Sequence, residues 1–180
     1  MNRIEIIRCM IVESNDEMNE LWNFYEEAFR PLNEKTPIAQ TWSKEFFVSW
    51  LKNESVVKFI VKKDGKIAGL GIVTTEIKLD WLLSPLYFKK HFPSKTVAHF
   101  PVIAIADHLR NTKIIIKLLR MMINEVPEDG LGVFFHSKMF SSIIPRLANI
   151  AGKNYIEGGE IDTKACCIYK WRKKIDLLAI

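Results

Sequence analysis

The chain has 180 residues, of which 48% are hydrophobic and 26% charged, with a formal net charge of +5. That length suits a single domain spanning 1-180, and the composition supports a packed core, which excludes a disordered or low-complexity protein. No apolar run approaches the roughly 20 residues that a membrane-spanning helix needs. The lysine surplus reads as a solvated surface rather than a nucleic-acid stripe, so neither a membrane nor a nucleic acid is expected as a partner.

The N-terminus carries no secretory h-region. The cysteines Cys9, Cys166 and Cys167 are odd in number and include an adjacent pair. They make a poor disulfide framework, and a cytoplasmic protein is the expectation.

Ile4 to Val12 reads as a first strand. Asn15 is placed to cap a helix, with Asp16 and Glu17 favourable in its first turn. The stripe Met18, Leu21, Trp22, Tyr25, Phe29 then recurs at helical spacing. Pro31 and Pro37 bracket a loop, after which Trp42, Phe46, Phe47, Trp50 and Leu51 mark a second helix whose aromatic stripe reads as core. Val56–Val61 and Lys66–Glu76 are strand-like, and Asp64-Gly65 between them is a hairpin turn signal, because glycine adopts positive φ at little cost.

Asp80 to Phe92 is an apolar and aromatic segment that reads as an inserted helix, with Pro85 able to divide it in two. Val97 to Asp107 is the most strand-like run, and its continuous apolar character suits a strand covered on both faces. Pro101 cannot donate to a ladder and should mark a bulge. A helix from about Thr112 to Glu125 follows, mostly buried, with Lys113, Lys117, Arg120 and Asn124 on one polar stripe. Gly130 and Gly132 surround the turn into a strand at Val133–His136. Phe140 to Ile150 is a further helix ended by Gly152, and Tyr155–Ile161 and Ala165–Trp171 close the chain as strands.

This order of hairpins and crossovers gives an α/β (α+β) domain with a mixed sheet flanked by helices. Its most informative stretch is Ala104-Ile105-Ala106-Asp107-His108-Leu109-Arg110-Asn111-Thr112-Lys113-Ile114-Ile115-Ile116-Lys117-Leu118-Leu119. In order and in this stretch the chain resembles the GNAT acyltransferase superfamily. That family has a strand ending in small and aliphatic residues, then Arg/Gln-x-x-Gly-x-Gly/Ala, then a helix with a Leu-Leu pair. Arg110 matches the opening residue and Leu118-Leu119 match the pair. Lys113 and Ile115 stand where the family has Gly and Gly/Ala.

The resemblance implies a central sheet of about six to seven strands and about four helices, with a helical insertion before the fourth strand. It implies an N-acyltransferase taking acetyl-CoA or another acyl-CoA, or an acyl-carrier protein, and an amine-bearing acceptor. The thioester would lie along Ala104, Ile105 and Ala106, with a backbone N–H near Ile105 holding the oxyanion. Arg110, Asn111, Thr112 and Lys113 would receive the pyrophosphate at a helix N-terminus. One branch of the family has a glutamate on the fourth strand as base, eleven residues before the loop. That position here is His99, which would take the ammonium proton through a water. Acceptor contacts would come from Pro31–Gln40 and Asp80–Phe92. Many members also have a tyrosine in the later helix to protonate the thiolate, where this chain has Ala148.

His91, His108 and His136 form no close metal-ligand spacing with cysteine or each other, and no metal is expected. No nucleophile elbow, P-loop or dinucleotide fingerprint is present. A second reading remains open beside the enzyme: a binding module that keeps the fold without the catalysis.

Overall fold

The structure is a computed structural model that describes residues 3–35, 41–79, 83–110, 112–127 and 129–135. The expected helix at Phe140–Ile150 and strands at Tyr155–Ile161 and Ala165–Trp171 lie outside the described residues, as do His136, Cys166 and Cys167.

Strand β1 spans Ile4–Cys9 and leads to helix α1 at Asn15–Lys35. Ser14, not Asn15, caps that helix, its Oγ accepting from Glu17 N at 3.3 Å. Ser14 and Glu17 have the spacing of a capping box, but the Glu17 carboxylate leaves the turn to meet Lys62 Nζ at 2.6 Å on the sheet. Pro31 does not open a loop; it lies inside α1. Its missing N–H removes one hydrogen bond near the helix end, while the buried stripe Met18, Leu21 and Tyr25 holds the rest of the helix in place.

Helix α2, Lys44–Lys52, is capped by Ser43 and buries Phe47, Trp50 and Leu51. The Tyr25 and Phe47 rings stack at 4.7 Å, and Trp42 N donates to Tyr25 Oη at 3.0 Å. The aromatic stripe is core, as its spacing implied. Burial pushes the Tyr25 phenol up to about 12.

Strands β2 (Val56–Lys63) and β3 (Lys66–Thr74) form the hairpin. Asp64 and Gly65 sit at φ 51° and 81°, the paired positive values that a two-residue hairpin loop requires. After a 3₁₀ turn at Ile77–Leu79 comes helix α3, Pro85–His91, so the inserted segment does divide in two. Pro85 begins α3, where its lost N–H costs nothing.

Strand β4 (Val97–Ile105), helix α4 (Lys113–Ile123) and strand β5 (Leu131–Val133) follow. The last strand begins two residues before the expected Val133, so Gly132 lies in the strand and not in the turn. A Cβ on Gly132 would stand 2.8 Å from the Phe100 ring, so glycine lets that ring cross β5.

The described sheet has five strands in the order β1-β2-β3-β4-β5. The first three pairings are antiparallel and β4–β5 is parallel. Helix α4 supplies the crossover that parallel pairing needs. The register of β3 and β4 shifts between Ile72–Val102 and Thr74–His99, which puts one extra residue on β4 beside Pro101. This is the bulge the proline announced.

Two apolar clusters sandwich the sheet. One joins α1 and α2 to residues such as Ile60, Leu70, Ile72 and Val102. The other joins Leu118 and Met122 of α4 to Phe59, Val73, Phe100 and Ile105. Helix α4 is less enclosed than its sequence implies: only Leu118 and Met122 are fully buried. Ile114, Ile115, Ile116 and Leu119 are half-covered, and Lys113, Lys117, Arg120 and Asn124 form the expected wet stripe. Gly71 admits this helix, since a Cβ there would stand 2.5 Å from Met122 Sδ and 3.2 Å from Leu118 Cδ1.

Lys58, fully buried on β2, donates to the backbone carbonyls of Met10 and Asn53 and so ties the end of β1 to the end of α2. Burial lowers its pKa to about 8 from 10.5, with nearby Cys9 acting weakly the other way. The folded protein therefore releases this proton before the unfolded chain does. Stability should rise as pH climbs from about 8 to 10.5, by about 1–3 kcal/mol. Lys58→Met should lack this rise. The check is the difference between parent and variant urea midpoints across that window, in which the opposing effects of Cys9 and Tyr25, both raised by burial, are present on each side. A constant difference would refute the assignment.

Candidate functional site

The β4–β5 pairing is short. It consists of Val97–Leu131, Ala98–Gly132 and His99–Val133, and stops there. Strand β4 runs on to Ile105, while Phe134 and Phe135 continue the other chain without strand structure. Beyond His99, the edge of β4 that faces away from β3 has no strand partner among the described residues. His99 marks the apex of a fork.

The groups on that edge follow from strand alternation. Ala106 N donates to Ala68 O of the β3 side at 2.9 Å, so Ala104 N, two residues back, points to β3 as well. The N–H groups of Ile103 and Ile105 then face the open edge. Of the expected Ala104, Ile105 and Ala106, only Ile105 turns its backbone outward; the alanines contribute small size. Ile103 was not singled out from sequence, although its alternation with Ile105 carries the signal. Pro101 adds no donor, and the Ile105 carbonyl accepts from Arg110 Nε at 3.4 Å.

The segment after β4 turns tightly through a 3₁₀ helix at Asp107–Leu109. Arg110 N donates to Asp107 O at 3.2 Å and Thr112 N to Leu109 O at 3.1 Å, so two of the four expected backbone donors are engaged within the turn. Thr112 caps α4, its Oγ1 accepting from Ile114 N at 3.3 Å and donating to Leu109 O at 2.7 Å. The first-turn N–H groups left to face outward are those of Lys113 and Ile115, which have no intrahelical partner. The Lys113 side chain is exposed beside them. The Arg110 guanidinium folds back to Asp107 Oδ1 at 2.8 Å. An exposed pair of this kind is worth about 0–1 kcal/mol, so an incoming anion can displace it. Asn111 lies outside the described residues.

His99 is 1% exposed, one of three buried polar side chains among the described residues with Thr74 and Lys58. It is the register partner of Thr74 on one side and Val133 on the other. Its ring meets Phe135 edge-on, with centroids 5.9 Å apart at 71°. Among the described residues no three of His, Cys, Asp and Glu converge as metal ligands, and no helix is long and apolar enough to cross a membrane.

An antiparallel meander joined to a parallel strand through a helix, opening into a fork where the pair meets, is the GNAT fold. Solved structures of that class share it across nearly the whole chain. A GCN5-related N-acetyltransferase from Ralstonia eutropha JMP134 is 12% identical and covers 91% of this chain and 99% of its own, with a TM-score of 0.59. Aminoglycoside N-acetyltransferase AAC(6')-Iy, solved in complex with CoA, is 11% identical with a TM-score of 0.58, covering 92% of this chain and 97% of its own. An aminoglycoside acetyltransferase from an uncultured soil metagenomic sample, in complex with sisomicin, is 12% identical with a TM-score of 0.52 over 94% of this chain and 97% of its own. No family model and no curated protein matches the sequence.

Proposed function

We propose that the protein is an acyl-CoA-dependent N-acyltransferase acting on an amine in the cytosol. The observation that carries this reading is the fork: a strand edge with outward N–H groups at Ile103 and Ile105, leading directly to the N-terminus of α4. A pantetheine arm is an extended chain with two amides, and such an edge suits it by strand addition. The bound thioester, from acetyl-CoA, another acyl-CoA or an acyl-carrier protein, supplies an activated acyl carbon.

In this reading the Ile103 N–H, the outward donor nearer the apex, holds the carbonyl oxygen as negative charge develops on it, because the Ile105 N–H stands six residues, roughly 20 Å of strand, from His99. His99, at the apex, accepts the proton of the acceptor ammonium through a water. The amine then bonds to the acyl carbon, the C–S bond breaks, and the second proton, shed by the nitrogen as it becomes an amide, passes through water to the departing thiolate. Arg110 and Lys113, with the first-turn N–H groups of α4, hold the pyrophosphate.

One observation favours the binding module instead. Two backbone donors of the loop are engaged in its own turn, and Lys113 and Ile115 replace the small residues that allow close approach. Calorimetric titration with acetyl-CoA, a longer acyl-CoA and free CoA separates the two. Micromolar binding is expected for the parent, weaker by about tenfold or more in Lys113→Glu, and weakened less or even tightened in Lys113→Gly. Equal affinity in all three proteins would remove the loop as a pyrophosphate site, and silence across the panel would leave the module.

A further inference from the structure

We propose that the cavity between α3 and the start of β4 is the acceptor pocket, and that it takes amines carrying an anionic group beside an apolar body. The proposal rests on the acyltransferase reading for the word acceptor, and on the cavity alone for the class of ligand.

The cavity has a volume of about 300 Å³ and is lined by Ile77, Phe88, Lys89, Phe92, Lys95 and Val97 among others. That volume stands at the lower end of small-molecule sites, enough for one ring and a short chain. Phe88 and Phe92 lie one helical turn apart, with ring centroids separated by 6.5 Å, and form an apolar wall. Helix α3 is capped by Ser84, whose Oγ accepts from Tyr87 N at 3.3 Å.

The charge on the segment that carries this wall has one sign. From Trp81 to Ala106 the sequence contains Lys89, Lys90, Lys95 and two histidines, and no aspartate or glutamate. Among the described carboxylates, Asp129 approaches Lys95 Nζ only to 4.0 Å and is 71% exposed. Glu76 is paired at 3.2 Å with Lys78. Lys89 has no carboxylate partner among the described residues. Two ammonium groups at the mouth of an aromatic wall select a carboxylate or phosphate attached to an apolar body, and repel a bare cation.

Position connects the cavity to the chemistry. Val97 lines the cavity, and His99 lies two residues further along β4, about 7 Å away on the same face of the strand. A ligand anchored at Lys89 and Lys95 can extend its amine to the apex of the fork. The acyl donor would reach that apex from the opposite end of β4, so the two substrates would not compete for wall.

The test uses the full chain and three probes: 3-phenylpropionate, phenyl phosphate and phenethylammonium. Binding is followed by ligand-observed NMR and calorimetry, beside the CoA titration. Both anions or one of them should bind, and the cation should not; the preferred anion tells carboxylate from phosphate. Lys89→Glu with Lys95→Glu should weaken the anion at least tenfold. Lys90→Glu, on the same helix but outside the lining, should leave it within twofold. Melting curves establish that each variant is folded. Equal binding of phenethylammonium, or equal losses in the Lys90 and Lys89 variants, would overturn the pocket. Anion binding without CoA binding would retain the ligand class and remove the acceptor role with the enzyme reading. CoA binding with no anion binding would keep the enzyme reading and overturn the pocket.

Discussion

Turnover at neutral pH should fall by about 10²- to 10⁴-fold in His99→Ala, the range that a positioned general base contributes. On the proposed reading acyl-CoA affinity should stay close to the parent value, because the base would act on the amine whereas the cofactor's charge would be held at the start of α4. His99 stands at the last residue pair before β4 and β5 part, so an acyl group seated in the fork would end beside it. Its burial between Thr74 and Phe135 means that alanine also leaves a void. Activity must therefore be read well below the melting transition, with His99→Gln as a variant that keeps most of the volume but cannot titrate. Parallel loss of turnover in both variants with intact CoA binding is the expected pattern. Full activity in His99→Gln would remove the base and leave a packing residue.

The second large effect is on stability. Leu118→Ala should cost about 2–5 kcal/mol, the range for truncating a buried leucine, and lower the melting temperature by roughly 2–4 °C for each kcal/mol. Leu118 is fully buried, and it packs where Gly71 offers no side chain that could move in to fill the space. The site is therefore poorly able to collapse, which puts the cost toward the upper part of the range. Ile116→Ala, one of the half-covered positions of α4, should lose much less. Urea unfolding of the two variants checks this. An unchanged midpoint for Leu118→Ala would mean that α4 does not rest on β3.

What was legible in the sequence is what short stretches decide for themselves. The Asp64-Gly65 turn, the Pro101 bulge and the wet stripe of α4 each follow from local geometry, and each is present. The cap of α1 was misplaced by one residue because serine, asparagine and aspartate all cap, and Ser14-Asn15-Asp16 offers all three. Pro31 reads as a break because proline usually is one, but tertiary packing of the aromatic stripe outweighs a single lost hydrogen bond. Lys58 gave no sign of burial, since its two acceptors come from the ends of distant elements. At the candidate site, Arg110 to Lys113 were visible as a strand-to-helix junction, but not that the turn engages the Arg110 and Thr112 N–H groups in itself. The pocket beside α3 was half visible as an aromatic insertion. The missing signal was the absence of acidic residues from Trp81 to Ala106.

The open edge of β4 has a consequence for which molecules can lie on it. An exposed strand edge is a template for any extended chain, and proteins that need one risk aggregating through it. Here the template is interrupted at both ends. Pro101 supplies no donor at the bulge, and the Arg110 guanidinium occupies the Ile105 carbonyl. Between them, among the described residues, remain the N–H and carbonyl of Ile103 and the N–H of Ile105. That is enough to hold a ligand with one or two amides and too little to register a polypeptide strand, so the edge discriminates by length against the chains that would otherwise add to it.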